Sequence, residues 1–215
     1  MRASAIAVRG LYVLCDDDPR WPHDPVEQAR AALAGGARIV QLRAKHATDR
    51  QALAWAASIR ALATAHGALF FVNDRFDLAL AAGADGVHLG QHDLSPARVP
   101  ASARARLRVG RSTHTLEQAQ IACNEPVDYV AFGPLFDTTS KNSEYGARGL
   151  AALAEVVRIV APLPVVAIGG IDAERAADVV RAGAGAVCVI SAVAAASDPE
   201  AAAHSLAKIV AGARA

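Results

Sequence analysis

Eight short apolar runs recur along the chain, at residues 11–15, 39–43, 69–72, 86–89, 107–111, 129–132, 165–168 and 186–190. Each is bounded by turn-forming residues, and most are continuous rather than alternating. Such runs predict strands covered on both faces, as in a parallel sheet. Helical patterns fill the gaps, and their ends are readable. Asp24-Pro25-Val26-Glu27 combines an N-cap, a proline at the first helical position and a capping-box glutamate, and Gly35-Gly36 supplies the stop. The capping signature returns at Thr48-Asp49-Arg50-Gln51 and Thr115-Leu116-Glu117-Gln118, and Asp172 opens a helix ending at Ala182-Gly183. Strand and helix alternate eight times, with no Pro/Gly/Ser-rich linker and no shift in charge balance. The pattern predicts one α/β domain over residues 1–215, a (β/α)8 TIM barrel. An open doubly wound sheet is the competing architecture, and it usually has fewer strands.

Composition narrows the function. Lys and Arg number 22 against 21 Asp and Glu, a formal net charge of +1 over 215 residues. That balance creates no long-range field, which argues against a nucleic-acid groove or a polybasic membrane surface. At 53% hydrophobic the chain is too apolar for disorder, yet no apolar stretch approaches the ~20 residues of a membrane span. Residues 1–10 carry no apolar core and cleavage site, so they do not read as a signal peptide. Cys15, Cys123 and Cys188 are odd in number and set in apolar runs. They read as buried thiols of a cytoplasmic protein, not as a disulfide framework or a zinc site. Aromatics are only 5%, and the apolar excess is mostly alanine and valine, which suits many thin layers of helix on strand.

In this architecture the chemistry sits at the C-terminal ends of the strands. Gln41, Arg43 and Lys45 alternate with Val40 and Leu42, so the three polar side chains share the face that looks into the barrel mouth. A charge there needs an anionic ligand or a structural ion pair with a barrel carboxylate. Asp74 and Asp93 follow the third and fourth runs and could share a divalent cation, Mg2+ being suited to few protein oxygens. Each could instead cap a helix. His88 and His92 are placed as an inner-barrel histidine and an exposed loop residue. Ser112, Thr113 and His114 follow the fifth run, as phosphate donors or helix caps. A long polar loop after the sixth run carries Thr138, Thr139, Ser140 and Lys141, which suit an anion. Gly169-Gly170 and Ile190-Ser191 end the last two runs, where this barrel commonly holds a phosphate on backbone amides. The mouth thus offers a monophosphate site and a metal-assisted pyrophosphate site. The acids of Asp16-Asp17-Asp18 are expected to be solvated.

These residues resemble the thiamine-phosphate synthase family. The matching stretches are Gln41-Leu42-Arg43-Ala44-Lys45, residues 72–80, residues 84–93, Gly133-Pro134-Leu135-Phe136, residues 166–171 and Val189-Ile190-Ser191-Ala192. The resemblance implies an alkyl transfer: a pyrimidine-methyl pyrophosphate loses pyrophosphate, and a thiazole-ethyl phosphate takes its place to give thiamine phosphate. It implies that Gln41, Arg43, Lys45 and Asn73 hold the pyrimidine pyrophosphate and that Asp74 and Asp93 bind Mg2+. Ser112 and Lys141 would contact the pyrophosphate, with Lys141, Ser112 and Lys45 as the catalytic set. Thr138, Ser140, Gly170, Ile190 and Ser191 would hold the thiazole phosphate. The chain departs from the family pattern at Ala44, Asp137 and Ser140, the last keeping its hydroxyl. The expected partners are these small molecules, with a homodimer as the candidate assembly. Two rival readings are a thiazole tautomerase-like isomerase, which needs no metal pair, and a non-catalytic phosphate-binding barrel.

Overall fold

The computed structural model describes residues 7–138, 140 and 144–213. In chain order its elements are β1 (Gly10–Asp16), α1 (Pro25–Ala34), β2 (Ile39–Arg43), α2 (Asp49–Ala65), β3 (Leu69–Asn73), α3 (Phe76–Ala81), β4 (Gly86–Leu89), a 3-10 turn (Pro96–Arg98), α4 (Ala101–Arg104), β5 (Arg108–Thr113), α5 (Leu116–Ala122), β6 (Tyr129–Phe132), α6 (Gly149–Val160), β7 (Val165–Ile168), α7 (Ala176–Arg181), β8 (Ala186–Val189), α8 (Ser191–Ala194) and α9 (Pro199–Gly212). The strands close in sequence order, and β1 pairs in parallel with both β2 and β8. The eight-stranded barrel expected from the apolar runs is the observed fold. None of the described helices is long and apolar enough to cross a membrane.

Strand parity divides the core in two. Tyr12, Leu14, Ile39, Leu69, Phe71, Tyr129, Val166 and Cys188 pack inside the barrel. Leu11, Val13, Val40, Leu42, Phe70 and Val72, one position out of phase, pack outward against the helices. The register Leu14↔Gln41 and Asp16↔Arg43 continues the inward face of β1 and β2 to the top of the barrel. The interior fits few large rings because glycines stand opposite them. A Cβ at Gly86 would strike Phe71, and one at Gly110 would strike Tyr129. The helices are alanine-rich and lie close on the sheet: α2 buries Ala52, Ala56, Ile59 and Ala63 along one stripe. α6 buries Leu153, Val156 and Val160, and truncating Leu153 to alanine would cost about 2–5 kcal/mol.

The caps fall where the sequence places them. The Asp24 side chain accepts from Val26 and Glu27 N–H in a full capping box, and Thr48 and Thr115 cap α2 and α5. Three expectations change. Asp172 caps a turn through Glu174 and Arg175 N–H, and the regular helix begins only at Ala176. The segment after β4 is a 3-10 turn and one turn of helix, while β8 is followed by two helices. Cys15 and Cys188 are buried, whereas Cys123 is only half-buried, at the C-terminal end of α5.

Candidate active site

A cavity of about 980 Å³ opens at the C-terminal end of the barrel. Of the sequence-derived candidates, Gln41, Ser112, Thr138, Ser140, Gly170, Ile190 and Ser191 line it. Arg43, Lys45, Asn73, Asp74 and Asp93 form a second group beside it, joined through Gly90, a cavity residue whose N–H donates to Asp93 Oδ2 at 2.6 Å. Lys141 and Thr139 lie outside the described residues.

The rim under β6, β7 and β8 is an anion cradle in form. Gly169 and Gly170 have φ of 102° and 62°, conformations open to glycine and strained for other residues. Both also lie against the loop after β6: a Cβ at Gly170 would come within 2.5 Å of the Asp137 carbonyl. The Ser140 and Ser191 hydroxyls meet at 2.9 Å, and the Ser140 N–H donates to Thr138 Oγ1 at 3.2 Å. These hydroxyls and the Gly170 and Ile190 backbone bring together all the thiazole-phosphate candidates. Arg175, absent from the sequence-derived set, also lines the cavity, donating to the Gly170 carbonyl at 2.7 Å and lying over Phe136.

The opposite group is a charge cluster. Lys45 Nζ is ion-paired with Asp74 Oδ2. Asp74 is in the left-handed region at φ 64°, alone among described non-glycine residues, and aspartate tolerates that conformation better than most. It does not cap α3, whose N-terminus has no side-chain cap, so the capping alternative fails for Asp74. Burial pushes its carboxyl up, the neighbouring Asp93 pushes it further, and Lys45 pulls the other way. For Asp93 burial acts in the same upward sense, but hydrogen bonds from Asp74 and the Gly90 N–H outweigh it and hold the carboxyl down. The two carboxyls are thus pushed in opposite directions, Asp74 up and Asp93 down, by each other and by their surroundings. Two carboxyls this close resist double ionisation, and a divalent cation relieves that repulsion. Among the described residues no group of three or more His, Cys, Asp or Glu side chains converges. Two carboxylates leave most of an octahedral shell to water and phosphate oxygens, the ligand set Mg2+ prefers. The residues present fit that ion.

The first loop corrects the expectation of solvated acids. The Asp16 side chain is fully buried and accepts from Arg43 Nη1 at 2.9 and 3.1 Å. Arg43 thus forms the structural ion pair that was the alternative to a ligand contact. Asp17 accepts from three successive backbone N–H groups, Lys45, His46 and Ala47, at 2.8, 2.9 and 2.8 Å, and so shapes the loop that carries Lys45. Of the three acids only Asp18 acts locally, paired with Arg20.

The cavity floor holds groups that sequence reasoning left in the core. Tyr12 and Tyr129 present their hydroxyls there, and His88 bridges Tyr129 and Ser112, at 2.9 and 2.8 Å. His88 is the satisfied inner-barrel histidine expected. His92 is exposed at the mouth. His114 Nδ1 lies 2.6 Å from the Gly133 carbonyl, and its ring stacks on Tyr145 at 4.4 Å, with Arg148 over the other ring. The signal for the tyrosines was strand parity: Tyr12 is two residues before Leu14 on the inward face.

A closed eight-stranded barrel with a small-molecule-sized cavity at the C-terminal ends of its strands has the architecture of a (β/α)8 enzyme. Residues 11–193 match the family model described as thiamine monophosphate synthase. A thiamine-phosphate synthase of Anaeromyxobacter dehalogenans is 52% identical over 90% of this chain and 84% of its own. One from Methanoculleus marisnigri is 46% identical over 95% and 97%. In structure, thiamine phosphate pyrophosphorylase from Pyrococcus furiosus superposes with a TM-score of 0.87 at 37% identity, over 97% of this chain and 98% of that one. The chain belongs to the thiamine-phosphate synthase family, and its activity is that of a transferase.

Proposed function

We propose that the chain carries out its synthase reaction as an Mg2+-assisted condensation, in which the pyrimidine-bearing methylene leaves pyrophosphate and is taken by the thiazole nitrogen. The observation that carries this reading is the Lys45–Asp74 ion pair with Asp93, joined through Gly90 to the cavity that Thr138, Ser140, Gly170 and Ser191 line. The carboxylate pair would hold the metal, where it would meet negative charge developing on the leaving pyrophosphate. Lys45, paired with Asp74, and Ser112, on the cavity wall, would donate to pyrophosphate oxygens, with Lys141 assigned to the same task from the sequence. The cradle would hold the thiazole phosphate and so aim the ring nitrogen at the methylene carbon.

The chemistry asks for little proton transfer. The C–O bond to pyrophosphate breaks, its electron pair leaves with the pyrophosphate, and an electron-rich aminopyrimidine can support the cation left behind. The thiazole nitrogen attacks through its lone pair and has no proton to lose. Charge stabilisation and alignment therefore suffice, which agrees with His88 and His114 being engaged in structural contacts.

The test is direct. The purified protein is mixed with both substrates and Mg2+, and thiamine phosphate and pyrophosphate are quantified. Equimolar products, lost with a chelator and restored by Mg2+, are expected. Undiminished turnover in the chelator would overturn the metal assignment. Interconversion of thiazole tautomers without pyrophosphate release would assign the isomerase reading instead.

A further inference from the structure

Five polar side chains cross the cavity floor in one unbroken file. Gln41 Nε2 donates to the Tyr12 hydroxyl. The Tyr12 and Tyr129 hydroxyls lie 3.3 Å apart, the Tyr129 hydroxyl is 2.9 Å from His88 Nδ1, and His88 Nε2 is 2.8 Å from Ser112 Oγ. Gln41, Tyr12, Tyr129 and His88 are all buried. Burial also pushes both phenols up from their ordinary range, so each keeps its single hydrogen. At the far end, Gln41 Oε1 is buried and meets no hydrogen-bond donor among the described residues.

Counting hydrogens gives the file a direction. The Tyr12 oxygen receives an N–H from Gln41, so its own hydrogen goes to Tyr129. Tyr129 then donates to His88 Nδ1, which leaves the imidazole hydrogen on Nε2, and Nε2–H donates to Ser112 Oγ. Ser112 keeps its hydroxyl hydrogen for the cavity. The Tyr12 and Tyr129 hydroxyl hydrogens and the His88 ring hydrogen then each have an acceptor, as interior polar groups require. The reversed file needs the Gln41 amide turned round. It ends with the Ser112 hydrogen committed to His88, offering only lone pairs to an anion.

We propose that Tyr12, Tyr129 and His88 are positioning residues that set this direction, so that Gln41 presents its carbonyl oxygen and Ser112 its hydroxyl hydrogen to the substrate. The inference rests on the reading of Ser112 as a pyrophosphate contact. It adds a coupling between two recognition points on opposite sides of the floor. An occupant with a donor at Gln41 and an acceptor at Ser112 enters without breaking a hydrogen bond. The opposite pattern would require all five groups to reverse together.

The tautomer of His88 is read in substrate-free protein labelled with 15N-histidine, where the two ring nitrogens have distinct shifts in the two neutral forms. The Nε2–H tautomer is expected. The Nδ1–H form, or signals averaged between the two, overturns the proposal. In the second measurement, Tyr129→Phe keeps the ring stacked on His88 at 5.5 Å and removes only the hydroxyl. It should lower kcat about tenfold, the worth of one ordered hydrogen bond, and leave KM for the thiazole phosphate within about twofold. In a Ser112→Ala background the same substitution should add less than about twofold, because both act through one hydroxyl. Full additivity of the two losses overturns the proposal. Should Tyr129→Phe fail to fold, Tyr12→Phe is carried through the same cycle. A wild-type protein without Mg2+-dependent turnover would sink the functional reading, while the His88 tautomer would still decide the file.

Discussion

Replacing Asp16 with asparagine tests whether the first strand anchors the charged side of the site. The carboxylate is fully buried and takes two hydrogen bonds from Arg43, whose side chain is 19% exposed. At a separation of ~3 Å and an effective dielectric of ~20, the gross attraction is about 5 kcal/mol. Burial of the carboxylate offsets part of that, so the pair adds little over an apolar replacement. Removing one partner is different, because the guanidinium is left without its counter-charge. Such losses run about 3–5 kcal/mol, and the partial exposure of Arg43 places this one near the lower end. In a domain of this size ~3 kcal/mol corresponds to a Tm lower by about 6–12 °C. Thermal unfolding followed by circular dichroism, without ligands, measures it. The double variant Asp16→Asn/Arg43→Met should recover part of the loss, since it removes the orphaned charge. A single-variant Tm within about 2 °C of wild type would refute the reasoning and return Arg43 to the substrate.

Asp74→Asn keeps a residue type that tolerates φ 64° and should cut Mg2+-dependent turnover at least about a hundredfold. Its Tm without divalent ions should match or exceed wild type, because a raised carboxyl beside another acid is relieved; a lower Tm would count against repulsion between the two acids. Gly170→Ala should raise KM for the thiazole phosphate ~10-fold or more, from about 1–2 kcal/mol of left-handed strain and the contact with the Asp137 carbonyl; an unchanged KM would move the phosphate elsewhere. His114→Ala should leave kcat within about threefold and raise KM modestly, since an aromatic pair is worth about 0.5–1.5 kcal/mol. Loss of condensation with substrate binding intact would give His114 a chemical role.

Most of the barrel was legible because its signal is local. Each apolar run is bounded by its own turn chemistry, and α1, α2 and α5 announce their caps within four residues. That Gly170 and Ser191 stand at the cavity rim was legible for the same reason, each following a strand end with a known place in the barrel. The misreadings at Asp16 and Asp172 concern ends. With β1 stopped at Cys15, Asp16 passes for a loop acid. One residue more puts it on the inward face with Tyr12 and Leu14, opposite Arg43. The partners of Asp17 lie 28 to 30 residues away, and no local pattern announces them. The tyrosines of the floor stayed hidden for another reason: inside an apolar run, an aromatic ring with a hydroxyl is indistinguishable from plain core until the strand is given a face.

The separation of the two cores has a consequence for change over time. The outer shell, where helices meet strands, holds most of the buried apolar residues, whereas the inner cluster is much smaller and threaded with polar groups. Folding and recognition therefore draw on largely different positions of the same strands, alternating along each one. A substitution inside can retune what the cavity admits while the shell still closes the barrel, and one outside can alter robustness without touching the ligand. Such a chain can explore new substrates in small steps, each of which still yields a folded protein.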